Sequence, residues 1–351
     1  MVQLGFYDVS QRYEGLDAKD PLVLLASLIP WEDFRAPLRA ALRKAGLRSS
    51  PGARKSPAGR KPWDEVMMFK ALVLQALYNL SDDQTEYQIR DRLSFSRFLG
   101  LGLQARVPDA KTLWLYREAL AQTGLVEKLF DMFDAHLRAH GYAAQGGQIL
   151  DATIVQAPKQ RNTKAENAAI AEGEVPAEWR DDPAKLRQKD RDARWTKKHG
   201  SSLFGYKNHI SADAPHKLIR RYSVTSAARH DSQETDNLLD PTNSSGDVWG
   251  DSAYRSQARE EQLARDGYRS RMHRRAARGH ALSERAQEAN TKRSRTRARI
   301  EHIFGEQTTA MGGKIVRTIG LVRAKAKIGM MNLAYNIRRF ATLERLAGRC
   351  A

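Results

Sequence analysis

The sequence predicts an α/β fold, a mixed sheet covered by helices and preceded by an all-helical N-terminal domain. Three observations carry that prediction. Apolar residues recur at helical spacing through residues 21–140. The period changes at Gly146, after which short runs rich in β-branched residues begin. Those runs then alternate with helical ones in the order β–β–β–α–β–α–β–α, the pattern of a sheet with helices on its faces.

In the first zone, Leu22, Leu24, Leu25, Leu28 and Ile29 open a helix, and Phe34, Leu38, Ala41 and Leu42 continue the spacing. The stretch from Arg48 to Gly59 is rich in Pro, Gly and Ser and breaks it. A second helix resumes near Trp63 and carries Val66, Met67, Phe69, Leu72, Val73, Ala76 and Leu77. Ser81-Asp82-Asp83 offers a cap for a helix through Tyr87, Ile89 and Leu93, and Pro108-Asp109 starts another. Leu113, Tyr116, Leu120, Leu125, Leu129, Phe133 and Leu137 supply its buried face or that of its successor. A helix–turn–helix within Arg90–Leu120 and an ordinary helical packing domain fit this spacing equally well.

In the second zone, Ile149 to Val155 reads as a buried strand. Residues 156–202 read as an inserted excursion, part loop and part helix, with 11 basic and 8 acidic residues. Two strands follow, Phe204–Asp213 and Lys217–Thr225, and Asp231 with Glu234 resembles a capping-box variant opening a short helix. Asp247 to Asp251 is a fourth strand, Ser256 to Asp266 a helix, and Tyr268 to His273 a fifth strand. Helices over about 292–309 and about 324–346 close the chain. The expected domains are 1–140, helical, and 145–351, the sheet core with its insert and basic C-terminal helices.

The 351 residues carry 59 Lys+Arg against 41 Asp+Glu, a formal charge of +18, which favours a polyanionic partner. The excess is concentrated: Arg269–Arg299 holds 11 basic and 2 acidic residues, and Lys314–Ala351 holds 9 and 1. Solvated helix faces normally interleave both signs, so one-signed runs point to phosphate contact with a steep salt dependence. No run of 18 apolar residues exists, so no membrane partner is expected. The single cysteine, Cys350, excludes an internal disulfide and a multi-cysteine zinc site, and fits a cytoplasmic location. His273, His280 and His302 lack the tight spacing of zinc ligands. Trp63, Trp114 and Trp179 offer rings for base stacking, although Trp114 lies in an apolar run where burial is expected.

Three carboxylates stand out. Asp151 interrupts an apolar strand, where a charge is costly unless it is paired or binds metal. Asp251 ends another strand directly after Gly250, whose missing side chain permits close approach. Glu301 lies on a helix whose apolar side is Ile300, Ile303 and Phe304. Together they suit hard divalent cations such as Mg²⁺ or Mn²⁺, two of which can drive phosphoryl transfer. Singly, each reads equally as a cap, a turn or an ion pair, and Glu301 has Arg297 four residues back.

The local words around these acids resemble the DDE transposases of bacterial insertion sequences, specifically the insertion sequence 5 group. Leu150-Asp151-Ala-Thr153 resembles the first acid's motif, Trp249-Gly-Asp251-Ser-Ala-Tyr254 the second and Arg297-Ala-Arg-Ile-Glu301-His-Ile-Phe-Gly305 the third. Gly205-Tyr-Lys-Asn-His209 and Thr225-Ser-Ala-Ala-Arg-His230-Asp231 resemble the family's second and third strands, with Lys207, His209 and His230 either near the site or structural. Leu80–Leu101 and Pro108–Leu120 resemble its helical module, and Asn332–Arg339 its closing helix, so the resemblance spans most of 20–345. It implies a ribonuclease H-like core in which Asp151, Asp251 and Glu301 bind two Mg²⁺ or Mn²⁺ ions. It further implies binding of inverted-repeat DNA ends and target DNA, metal-dependent cleavage and strand transfer, and a homodimer on paired ends.

Arg297, Arg293, Arg295 and Lys314 are the expected DNA contacts. Related enzymes often carry Tyr and Lys around the third acid where this chain has Ser294 and Thr308, with Lys314 a substitute for the missing Lys. Two rivals remain: a ribonuclease H-like nuclease that only hydrolyses, and an inactive relative that binds DNA without cutting it.

Overall fold

The computed structural model describes residues 20–48, 61–102, 104–198, 200–276 and 280–348. The breaker segment beyond Arg48, and Cys350, lie outside these. The chain divides into two units, Met1–Tyr142 with Gly329–Ala351, and Ala143–Ile328.

Among the described residues the first unit is helical: α1 Pro21–Leu28, α2 Arg35–Lys44, α3 Glu65–Leu77, α4 Asp82–Asp91, α5 Leu93–Leu99, α6 Ala110–Thr123 and α7 Leu125–Ala139. The expected caps are present. Ser81 and Gln84 close a reciprocal capping box on α4, and the Asp109 side chain accepts the Thr112 N–H of α6. Helix α3 is buried almost all round, and Trp31, Phe34 and Phe98 pack beside its Phe69 with neighbouring ring centroids 5.2–5.9 Å apart. Its one acid, Glu65, is 1% exposed and is held by Arg39 and Arg48. Residues 100–109 connect α5 to α6, longer than the three- to four-residue turn of a helix–turn–helix. Trp114 is exposed, not buried as its run suggested.

The second unit holds a six-stranded sheet: β1 Gln148–Gln156, β2 Arg194–Lys198, β3 Ser201–Asp213, β4 Ile219–Ser226, β5 Asp247–Trp249 and β6 Arg269–Ser270. The long β3 pairs antiparallel with β1 along one edge; on the other edge β2 takes its first half and β4 its second. Beyond β1 the sheet continues parallel, β1 to β5 to β6. This is the mixed sheet of a ribonuclease H-like core. Two glycines permit its close approaches. Gly147, at φ +87°, faces the Trp249 ring, where a Cβ would lie 2.2 Å from a ring atom. At Gly205 a Cβ would meet the Val155 carbonyl oxygen at 2.3 Å.

The insert contains α8 Lys164–Ala171, α9 Ala177–Arg180, α10 Pro183–Gln188 and also β2, which the sequence reading assigned to the excursion. Trp179 anchors it: fully buried, its Nε1 donates to Glu166 Oε1 at 2.6 Å, so it is no base-stacking platform. Helix α11 Thr235–Leu238 follows a 3-10 turn over Asp231–Glu234. Here His230, not Asp231, caps, and Glu234 instead accepts from Ser223 and Asn237. Helix α12 Gln257–Arg265 precedes β6, which is far shorter than the Tyr268–His273 strand expected. Helix α13 Glu284–Thr309 starts two turns earlier than its periodicity suggested, capped by Ser283, and packs on β1 and β5.

The closing helix α14, Leu321–Leu346, departs most from the sequence reading. From Gly329 on it groups with the helical unit rather than with the sheet core. Leu333, Ala334, Ile337 and Phe340 are buried, and Phe340 receives Phe133, His136 and Tyr142 edge-on at 5.6–6.1 Å. Lys325, Arg338 and Arg345 lie on its exposed side. Tyr142 Oη also donates to Glu344 Oε1 at 2.6 Å, both residues buried. Tyr142→Phe should lower unfolding stability by roughly 1.5–3 kcal/mol, the worth of a hydrogen bond to a charged group. Urea denaturation giving a change below about 0.5 kcal/mol would deny that bond its role.

Candidate active site

The parallel register of β1 and β5 sets Ile149 opposite Trp249. Two residues further on in each strand, Asp151 lies within β1, whose pairing with β5 stops at Ile149, and Asp251 lies just past the carboxyl end of β5. Ligands of open α/β sheets gather beyond such strand ends. Asp151 Oδ1 accepts the Ala152 N–H at 2.8 Å. Asp251 caps the 3-10 turn Ser252–Tyr254 by accepting the Ala253 N–H at 2.8 Å. The turn is pinned by Tyr254, fully buried in a cluster with Leu150, Leu238, Val248, Leu263 and Met272. A Cβ on Gly250 would sit 3.4 Å from the Tyr254 ring, ordinary contact, so crowding does not require glycine there.

Helix α13 delivers the third carboxylate through Arg297. This guanidinium lies 3.2 Å from Asp151 Oδ2 and 3.1 Å from Glu301 Oε1, joining strand to helix. The ion pair that the spacing of Arg297 and Glu301 offered is therefore present. Burial pushes the Asp151 carboxyl up to about 6, with Asp251 adding to the rise, while the Ala152 N–H, Arg297 and Lys198 oppose it. Among the described residues no three acid or histidine side chains stand close enough to hold a metal ion. The donors are the oxygen type that hard cations take, but in this arrangement the Arg297 guanidinium stands between two of them.

The other predicted residues are spread more widely. Arg293 is half-buried one turn before Arg297 and reaches Asn290 Oδ1 at 3.2 Å, while Arg295 points to solvent. The Lys314 carbonyl accepts the Gln156 N–H at 3.0 Å, at the far end of β1, roughly 17 Å along the strand from Asp151. It is not beside the acids. Ser294 Oγ meets His273 Nε2 at 3.3 Å, and Thr308 Oγ1 bonds back to Phe304 O within its own helix. Lys207, His209 and Asp231 form a network behind the Tyr254 turn: Lys207 Nζ is 2.8 Å from Asp231 Oδ1, and His209 Nε2 is 2.8 Å from Thr225 Oγ1. Burial pushes the His209 imidazole down to about 4. His230 is exposed at a turn.

The sequence reading missed two groups of basic residues. Lys198, at the end of β2, is close enough for its charge to favour the ionised Asp151. Arg255, Arg271 and Arg274 gather near Arg293; the signal for Arg271 and Arg274 was the arginine-rich run after Tyr268, read only as bulk charge, and Arg255 had none.

A sheet of this order, with one aspartate within β1, one just past the end of the adjoining β5 and a glutamate on the helix packed on both strands, defines a ribonuclease H-like core. The chain belongs to the DDE transposase family: residues 143–337 match the family described as transposase DDE domain, and residues 10–119 the transposase domain DUF772. Membership supports DNA binding and cleavage as its general activity. The structure is also similar to piggyBac transposase in a synaptic complex with hairpin DNA. That similarity has a TM-score of 0.50 at 12% identity, over 94% of this chain and 76% of the other. Among the described residues no helix is long and apolar enough to cross a membrane.

Proposed function

We propose that this chain is the transposase of a bacterial insertion sequence of the insertion sequence 5 group, cleaving DNA at the element ends and joining the freed 3′-hydroxyl to target DNA. The observation that carries the reading is Arg297 tying Asp151 of β1 to Glu301 of α13, with Asp251 following the adjoining strand β5. In the first step water attacks the phosphodiester, leaving a 3′-hydroxyl and a 5′-phosphate. In the second that hydroxyl forms a new phosphodiester with the target, whose own 3′-oxygen leaves. No nucleotide cofactor is needed, since one phosphodiester is exchanged for another.

Asp151, Asp251 and Glu301 would hold the divalent cations, Mg²⁺ or Mn²⁺, once Arg297 turns from them to a DNA phosphate. Those ions would activate the attacking oxygen and stabilise the leaving one. The helical unit would read the inverted repeats, and two copies would process paired ends.

The test is a strand-transfer assay with Mg²⁺ or Mn²⁺, pre-cleaved element ends and a supercoiled target, with Asp251→Asn alongside. Joined product that Asp251→Asn loses is the expected result. Hydrolysis without joining would replace this reading with a nuclease, and salt-sensitive binding with neither reaction would replace it with an inactive DNA binder.

A further inference from the structure

Beyond β6 the chain does not turn away from the sheet. Arg271 N–H donates to Val248 O at 2.8 Å and His273 N–H to Gly250 O at 3.1 Å, so residues 271–274 run beside β5 up to Asp251. Helix α13 locks this segment in place. Asn290 accepts the Arg274 N–H at 3.0 Å and donates to the Arg274 carbonyl at 2.9 Å, while its Oδ1 also takes Arg293 Nη1 at 3.2 Å. One turn on, Ser294 meets His273. From the other side Arg255, four residues after Asp251, is tethered to Glu260, which also accepts from Ser270 of β6.

Four guanidiniums from three elements thus converge next to the acids with too little negative charge among them. Glu260 serves Arg255, and Asp247 is shared by Arg269 and Arg271 at 2.9 and 3.0 Å. Neither Arg274 nor Arg293 has a carboxylate partner among the described residues. Burial and the charges of Arg274, Arg255 and Arg271 lower the Arg293 pKa, so the grouping carries an electrostatic cost in the absence of an anion. Arg271 and Arg274 are solvent-exposed, so an anion can reach them. Planar, multi-donor guanidiniums match phosphate oxygens better than any other side chain.

We propose that Arg255, Arg271, Arg274 and Arg293 form a phosphodiester-binding subsite beside Asp251, which holds the backbone of the DNA strand flanking the scissile phosphate. This rests on the DNA-processing reading above. The subsite is built on the extended β5–β6 edge and on α13, the same elements that place Asp251 and Glu301, so it fixes the strand's register against the acids. Base identity plays no part in it.

Arg274 is the residue to change, because its backbone is held by Asn290 while its side chain makes no ion pair or hydrogen bond among the described residues. The experiment measures the affinity of the full chain for a fluorescein-labelled 40-base-pair duplex across a salt series, with thermal melts confirming the fold. Each phosphate contact contributes roughly 0.9 to the slope of log affinity against log salt. Arg274→Ala is expected to weaken binding about tenfold at 100 mM salt and to reduce the slope by about 1. Adding Arg293→Ala should reduce it by about 2 in total. Arg274→Lys should restore the slope but only part of the affinity, since an ammonium lacks the planar fork. Unchanged affinity and slope in the double variant, with salt-sensitive wild-type binding, would overturn the subsite and leave the transposase reading standing. A wild-type chain that binds no duplex would overturn both.

Discussion

Asp151→Asn is expected to abolish DNA cleavage and joining while making the protein more stable above pH 6. On the proposed role of Asp151 in holding the divalent cations, the loss should be on the order of a thousandfold, since an amide neither ligates a hard cation as a carboxylate does nor carries its charge. The gain follows from the carboxyl's position in β1. Burial raises its pKa from 3.8 to about 6, so the folded chain favours the protonated form. The associated stability is fully present below about pH 4 and is lost as the pH rises through 6. At pH 8 the wild-type chain holds a poorly solvated carboxylate that the amide avoids, a difference of about 2–3 kcal/mol. Near pH 4 the two should unfold alike. Urea unfolding at both values checks this, and a variant less stable than wild type at pH 8 would show that Arg297 more than compensates for the buried charge.

That conflict between stability and chemistry was visible in the sequence, because a charge in the middle of Ile149–Val155 violates the strand's own pattern. Asp251 and Glu301 were weaker signals taken singly and drew their weight from surrounding words. What places them is the parallel register of β1 with β5 and the packing of α13 across both, pairings between residues about a hundred positions apart that no local pattern encodes. The same limit hid Arg274: its neighbours Asn290 and Arg293 are remote in sequence, so the run looked like undifferentiated charge. Strand β2 was missed because the pattern of Arg194 to Lys198 is polar and only its pairing with β3 makes it a strand. Helix α14 misled in the opposite sense. Its charge count was correct, but the apolar face through Leu333, Ile337 and Phe340 decides where it packs.

Trp179→Ala is expected to unfold the insert locally and leave the sheet and the helical unit folded. Helices α8, α9 and α10 are of eight, four and six residues, too short to persist without tertiary support. Their support is the fully buried Trp179 ring, with Lys185 and Lys189 lying 5.7 and 5.1 Å from its centroid. Removing a buried Trp side chain costs about 3–5 kcal/mol, more than a small satellite cluster holds in reserve. Trp179→Phe keeps most of that contact and gives up the bond to Glu166, so its cost should be nearer 2 kcal/mol. Glu166 also closes the capping box of α8, accepting the Thr163 N–H, and that bond with the Trp179 donor pulls its carboxyl down to about 2. The stabilisation is therefore complete above about pH 4.5 and fades as the pH falls toward 2, so the difference between Trp179→Phe and wild type should narrow in acid. Segment-resolved hydrogen exchange at pH 7 and pH 3 reads both effects. Protection of residues 164–188 in Trp179→Ala equal to wild type would mean that the short helices are held by something other than this ring.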